Sequence, residues 1–210
     1  MIGLINYGSG NLSAFVNVFT TLDKKIVIIN NPEELKICSH IIMPGVSAWN
    51  TTMKSVEKFR DALFSCVINK KIPFLGVCVG MQILASTSEE GLSGGLNWVC
   101  GNVKRLPTNQ IPDNLNFVGP KLPHMGWNTV TPNGKIDLMN GLPEKPEFYF
   151  LHSYYLDSAN HDNVIATAEH NFFRFPVIVQ NENIYGVQFH PEKSHINGKI
   201  LLDNFTNLRY

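Results

Sequence analysis

The sequence predicts an α/β fold, residues 1–210 as one domain, with a central mixed, largely parallel sheet flanked by helices. Three observations predict it. Strand-like runs alternate with runs of helical period through the first half of the chain. The second half is mostly strand-like, with short turns between runs. A glycine-flanked cysteine stands where a strand gives way to a helix. Alternating strands and helices bury a parallel sheet on both faces, and strand-like runs joined by short turns add antiparallel members.

The elements follow in order. "MIGLIN" is a first strand and "YGSGN" a turn. In "LSAFVNVFTTLD", Leu12, Phe15, Val16, Phe19 and Leu22 recur at helical spacing. "KIVIIN" is a second strand. Asn31 and Pro32 read as N-cap and first residue of a short helix through "EELKI". "HIIMPG" is a third strand. Val56, Phe59, Leu63 and Val67 share one face and predict a largely helical stretch from Thr51 to Asn69. "IPFLGV" is a fourth strand, with a helix expected after Cys78. "LNWVCGNVKRL", "EFYFLHSYYL", "NVIATAEH", "FPVIVQ" and "IYGVQFH" read as strands, with Asn181-Glu182-Asn183 as a hairpin turn between the last two. "INGKILLDNFTNL" closes as a helix. There is no internal repeat, low-complexity tract or linker.

Composition excludes several classes of function. Lys and Arg number 17, as do Asp and Glu, so the formal net charge is zero and gives no global electrostatic case for nucleic acid or an anionic membrane. With 44% hydrophobic residues the chain is not of the disordered type. No apolar run reaches the ~18 residues of a membrane span. "MIGLINYGSG" does not read as a secretory signal. Cys38, Cys66, Cys78 and Cys100 show no paired C-x-x-C spacing, which argues against zinc or a disulfide framework. A cytoplasmic protein without metal or organic cofactor is expected.

In an open α/β sheet, ligands sit beyond the carboxyl ends of the strands. Cys78, Pro44-Gly45 and His190 each follow such an end. Free cysteine is usually a small buried hydrophobe, but Gly76 and Gly80 around Cys78 indicate a sharp turn or a close backbone approach. Gly-x-Ser-x-Gly is the nucleophile elbow of hydrolases, and here the central residue is cysteine. The N-terminus of a following helix would favour the thiolate. "GVQFHPEKS" supplies a base: His190 ends a strand, Pro191 stops it, and Glu192, two residues on along extended chain, points the same way and can orient the imidazole. An oxyanion needs two backbone donors. The amide of Val79 is one, and the "MPGVSAW" loop, with Gly45, offers the second.

These residues identify a family. "NYGSGNL" at 6–12, "MPGV" at 43–46, "GVCVGMQ" at 76–82, "KLPHMGWN" at 121–128, "FYFLHSYY" at 148–155 and "QFHPEKS" at 188–194 resemble the class I, triad-type glutamine amidotransferases. More closely, they resemble the glutaminase subunits of imidazole glycerol phosphate synthases. The resemblance implies that family's flavodoxin-like fold. It implies Cys78 as nucleophile, His190 as acid/base and Glu192 as orienter. It places Gly45 and Val46 with Val79 at the oxyanion hole, Ser47, Gln82, Ser153 and Tyr154 around L-glutamine, and Glu90 near its α-amino end. Trp127 and Lys193 fall where the family meets a (β/α)8-barrel cyclase, the expected heterodimer partner. The implied reaction is hydrolysis of the glutamine amide through a cysteinyl thioester, with the ammonia passed to the cyclase. Two departures stand out: Ser47 replaces the usual glycine after Pro-Gly-Val, and "AEHNFFRFPVIV" (168–179) lacks a tyrosine-glycine element. A paralogous glutaminase serving amidination of a surface sugar, a stand-alone cysteine hydrolase and a non-catalytic binding module stay open on sequence.

Overall fold

A computed structural model describes residues 1–107 and 122–210 of the chain. Strands β1 (Ile2–Ile5), β2 (Ile26–Ile29), β3 (His40–Met43) and β4 (Phe74–Val77) alternate with helix α1 (Leu12–Thr21), a 3-10 helix over Pro32–Ile37, and a long helical stretch. That stretch comprises α2 (Trp49–Val56), a 3-10 turn (Glu57–Phe59), α3 (Arg60–Leu63) and a π-helical segment (Phe64–Asn69). The single turn α4 (Val79–Gln82) follows Cys78. Strands β5 (Thr87–Ser88), β6 (Gly101–Arg105), β7 (His124–Thr129), β8 (Thr131–Pro132), β9 (Glu147–His152), β10 (Tyr154–Ser158), β11 (Val164–His170), β12 (Phe173–Asn181) and β13 (Ile184–Val187) come next, and α5 (His195–Asn207) closes the chain.

The main sheet runs β2-β1-β3-β4-β13-β12-β11-β8. Its first five strands are mutually parallel and the rest are joined by antiparallel pairs. The mixed, largely parallel sheet expected from the sequence is therefore present. β1, β3, β4 and β13 are buried at every residue, which is why they read as continuous apolar runs rather than alternating ones. Smaller sheets, β10-β6-β5 and the ribbon β7-β9, lie outside it.

Register positions the site. Met43 pairs with Gly76, and Val77 pairs with Val187. The Cys78 amide extends that ladder by donating to the Val187 carbonyl at 2.8 Å. Three neighbouring strand ends thus deliver Pro44–Ser47, Cys78 and 188–190 to one edge of the sheet.

Several expectations need correction. The helix after Cys78 is one turn long, so its dipole gives the thiol little beyond its first amides. The Pro32 helix is 3-10, with the Glu34 carboxylate accepting from the Asn30 and Asn31 amides. "EFYFLHSYYL" is two strands broken at Ser153, and residues 96–100 are not strand. "IYGVQFH" ends its strand at Val187, so His190 and Glu192 are not neighbours on a pleat: Glu192 stands on a 3-10 turn (Pro191–Lys193). Lys121 lies outside the described residues.

Candidate active site

Cys78 occupies a turn that few side chains adopt, with φ 55° and ψ −110°. Its flanking glycines follow from close approach. A Cβ on Gly80 would lie 2.1 Å from the Met43 carbonyl oxygen, and one on Gly76 would lie 2.3 Å from the Gly80 carbonyl oxygen. Neither site can hold a side chain, because what it would meet is backbone. The chain therefore turns sharply enough to project the Cys78 side chain into a cleft of about 240 Å³. A strained residue held by its surroundings is the pattern of a functional turn.

The cleft brings together most of the sequence-predicted residues: Val46, Ser47, Cys78, Val79, Gln82, Glu90, Ser153, Tyr154 and His190 line it. Glu192 stands behind His190 and accepts from its Nδ1 at 2.9 Å, both side chains being buried. The contact expected between them is present, although a turn rather than extended chain produces it. With Nδ1 as donor, Nε2 is the nitrogen left for the thiol. Nε2 is buried and has no partner of hydrogen-bond geometry among the described residues. Burial works to lower the His190 pKa, yet the Cys78 sulfur and the Glu192 carboxylate outweigh it and raise it to about 10. The site therefore favours an imidazolium beside the sulfur at neutral pH. The backbone of His190 is pinned too. Its amide donates to the Tyr149 carbonyl at 2.8 Å, and the Ser194 hydroxyl donates to its carbonyl at 2.6 Å.

Of the two segments expected to supply oxyanion donors, one presents its amide beside the thiol. The Val79 amide stands next to Cys78 at the start of α4. The Val46 amide is engaged elsewhere, donating to the Ser9 hydroxyl at 3.3 Å. In this arrangement its N–H is turned to Ser9, so the loop expected to supply the second donor does not present it to the cleft. Gly45 lies against the amide of Gly80, outside the cleft lining. The Ser47 hydroxyl hydrogen-bonds that of Thr52 at 2.8 Å. The Glu90 carboxylate accepts from the Trp49 amide at 2.9 Å and faces the cleft, where a cationic amine would find it.

Three groups that the sequence did not mark out stand at the cleft, two of them against the sulfur. Gln188 donates from Nε2 to Cys78 Sγ at 3.7 Å, and the Leu151 carbonyl is within 3.8 Å of the same atom. His152 lines the cleft and heads a histidine chain. The Tyr154 carbonyl can only accept, so the His152 Nδ1 that meets it at 2.8 Å carries hydrogen. His152 Nε2 then accepts, and His124 Nδ1 donates to it at 3.0 Å. His124 Nε2 in turn accepts from the Asn128 amide at 3.2 Å. Both rings are neutral in this chain, and burial, aided by neighbouring histidines, lowers each pKa to about 3. The signal for Gln188 was its place two residues before His190. A backbone carbonyl such as Leu151 leaves no trace in sequence.

Trp127 and Lys193 are outside the cleft. Trp127 is 47% exposed, its ring stacked on His195 at 5.1 Å and edge-on to Tyr149 at 6.2 Å. The Lys193 ammonium lies 5.7 Å from the centre of the same Tyr149 ring. The altered 168–179 segment forms the β11–β12 hairpin, turning through Asn171 (φ 52°) and Phe172 (φ 64°). The turn that glycine commonly serves is made here without it.

Residues 3–207 match the family model described as glutamine amidotransferase class-I. The chain is 48% identical over 210 residues to the imidazole glycerol phosphate synthase subunit HisH of Leptospira borgpetersenii, covering 99% of this chain and 100% of that one. It is 42% identical to the subunit of the same name from Bdellovibrio bacteriovorus, with the same coverage. A crystal structure of a glutamine amidotransferase superposes with a TM-score of 0.72 at 16% identity, over 98% of this chain and 97% of the other, a likeness of fold.

Proposed function

The chain belongs to the class-I glutamine amidotransferases and, within them, to the HisH subunits of imidazole glycerol phosphate synthase, and from that premise we propose how its residues divide the work. The activity of the family is glutaminase chemistry serving histidine biosynthesis. Cys78 is the nucleophile, His190 the acid/base and Glu192 the group that holds the imidazole. The observation that carries this reading is the meeting of a strained, cleft-facing Cys78 with a buried His190–Glu192 pair at adjoining strand ends.

The chemistry follows from the geometry. Glutamine enters with its α-amine toward Glu90 and its side chain toward Cys78. The thiol proton already rests on His190 Nε2, and the sulfur attacks the amide carbon as the thiolate. The oxyanion is met by the Val79 amide and by the Val46 amide once it leaves Ser9. His190 returns its proton to the departing nitrogen, ammonia leaves, and a γ-glutamyl thioester remains on Cys78. His190 then takes a proton from water, the hydroxide adds, and collapse expels the Cys78 thiolate and releases glutamate. The Glu192 carboxylate stabilises the imidazolium at both proton transfers.

The ammonia needs an acceptor, because in neutral water it protonates and loses its nucleophilicity. The partner is a cyclase of (β/α)8-barrel form making a heterodimer with this chain in the cytoplasm. The domain spans 1–210, and the exposed Trp127–Tyr149–Lys193 cluster is its docking face. No observation favours a stand-alone hydrolase or a sugar-pathway paralogue. Cys78→Ser tests the reading. It is expected to abolish glutamine hydrolysis while the cyclase, in complex with the variant, still works on added ammonia. Glutamine turnover near that of the unaltered chain would end the triad assignment.

A further inference from the structure

Gln188, whose side-chain amide donates to the Cys78 sulfur, has no part in the mechanism above. We propose that Gln188 is a further catalytic residue: its side-chain N–H is a fixed donor to the Cys78 thiolate, both in the resting site and when that thiolate leaves the acyl intermediate. The proposal rests on the reading of Cys78 as the nucleophile.

The role of Gln188 depends on which end of its side-chain amide faces the sulfur. An amide can be placed either way round, so its orientation must come from its neighbours. Here the chain of hydrogen bonds is anchored on a group that cannot reverse. The Tyr154 backbone carbonyl is an obligate acceptor, so the Gln82 atom 2.9 Å from it is the nitrogen. The same Gln82 nitrogen lies 3.2 Å from Gln188 and gives it the second hydrogen. The Gln188 atom that receives it is therefore the oxygen. Its other end, 3.7 Å from Cys78 Sγ, is then the N–H. Gln188 is fully buried and Gln82 is 2% exposed, so no solvent competes for these bonds. Turning Gln188 over would set oxygen against sulfur and two N–H groups against each other. Two consequences follow for Gln82. Both of its hydrogens are used inside the protein, which leaves its oxygen as the free polar end of a cleft-lining side chain. One residue thus presents an acceptor to the glutamine substrate and sets the orientation of Gln188.

Donation to the ionised form of a group favours that form. His190 also stabilises the thiolate, but only while it holds its proton. During thioester breakdown His190 begins neutral, because it must first take the proton from water. Gln188 cannot give its hydrogen away, so the leaving sulfur finds the same donor at every stage.

The test reads ionisation of Cys78 directly, apart from turnover. The rate of Cys78 alkylation by iodoacetamide, followed by peptide mass because Cys38, Cys66 and Cys100 are also free, is measured against pH. The comparison is between the unaltered chain, Gln188→Met, which removes the donor, and Gln188→Glu, which sets a carboxylate oxygen in its place. The apparent midpoint is expected to rise by about one unit in Gln188→Met, a roughly tenfold loss of thiolate on the acid limb, and further in Gln188→Glu. Single-turnover breakdown of the thioester should slow along with its formation. If neither variant folds, the side-chain amide nitrogen signal of Gln188 in the unaltered chain must titrate with the alkylation midpoint and stay flat in Cys78→Ser. An unmoved midpoint in folded Gln188→Met, or a flat signal in the unaltered chain, overturns the proposal and leaves the triad standing. Hydrolysis that survives in Cys78→Ser removes the triad itself.

Discussion

Replacing Cys78 by glycine should give a more stable protein than replacing it by alanine, against the usual order. The backbone at φ 55° and ψ −110° lies outside even the left-handed helical well. A residue with a Cβ held there carries strain near the upper end of the ~1–3 kcal/mol range. Glycine carries none. Against this, glycine loses about 0.5–1 kcal/mol through its greater freedom in the unfolded chain, and alanine keeps a buried methyl worth about 0.8 kcal/mol. The difference favours Cys78→Gly over Cys78→Ala by about 1 kcal/mol, which is about 2–4 °C in Tm for a chain of this length. Thermal unfolding of the two variants, neither of which carries the thiol, measures it in the absence of substrate. A Cys78→Ala protein as stable as Cys78→Gly, or more so, would show that the elbow stores no strain and that the turn is no evidence of a selected nucleophile.

Three further outcomes are expected. Ser9→Ala frees the Val46 amide from its 3.3 Å hydrogen bond, so basal glutamine hydrolysis without the cyclase should rise several-fold and stimulation by the cyclase should shrink; an unchanged ratio of the two rates refutes this. Lys193→Ala should lower the cyclase-stimulated rate more than the basal rate, measured at saturating partner, because its ammonium stands on the outer Tyr149 ring and not in the cleft; equal losses would place Lys193 in direct support of the triad. Stability should fall as pH drops below about 6.5. His124 and His152 bind protons in the folded chain only near pH 3, whereas the unfolded chain takes them up from about 6.5 downward. At pH 5 that is about 2 kcal/mol for each ring, and urea titrations with equal unfolding free energies at pH 7 and pH 5 would contradict it. His190 acts in the opposite sense: its raised pKa adds stability below about 6.5 that is lost as pH climbs through about 10.

What the sequence disclosed, and what it hid, divides along physical lines. The central strands were legible because burial on both faces leaves short, isoleucine-rich, largely apolar runs such as those of β1 and β3. Cys78 was legible because two backbone approaches exclude any Cβ at Gly76 and Gly80. The His190–Glu192 contact was found for the wrong reason. Pro191 does more than stop the strand: it opens a 3-10 turn that brings Glu192 back beneath the imidazole. The helix expected after Cys78 is there as a single turn, and its length was not legible because the apolar run continues past that turn. The occupation of the Val46 amide by Ser9 joins residues 37 apart, and the Leu151 carbonyl reaches Cys78 across 73. Long-range contacts made by backbone atoms carry no residue signature, so no pattern along the chain announces them.

The β7–β9 ribbon is not part of the eight-stranded sheet, and this gives the cleft two walls of unequal stiffness. One wall, carrying Cys78 with Gln188 behind it, is an extension of a continuous ladder, through the Cys78 amide on Val187 and the Gln188 amide on Val177, and cannot shift without breaking it. The other wall carries Leu151, His152 and Ser153 and is tethered to the His190 segment by the Tyr149 carbonyl and, through the Tyr149 amide, by the Ser194 hydroxyl. A small rotation of the ribbon leaves the main sheet intact while changing the gap between the Leu151 carbonyl and the sulfur. Its outer face bears Met125 and Trp127, 62% and 47% exposed. Met125 pairs with Leu151 across the ribbon, so whatever presses on that face presses on the strand pair whose Leu151 carbonyl stands 3.8 Å from the Cys78 sulfur.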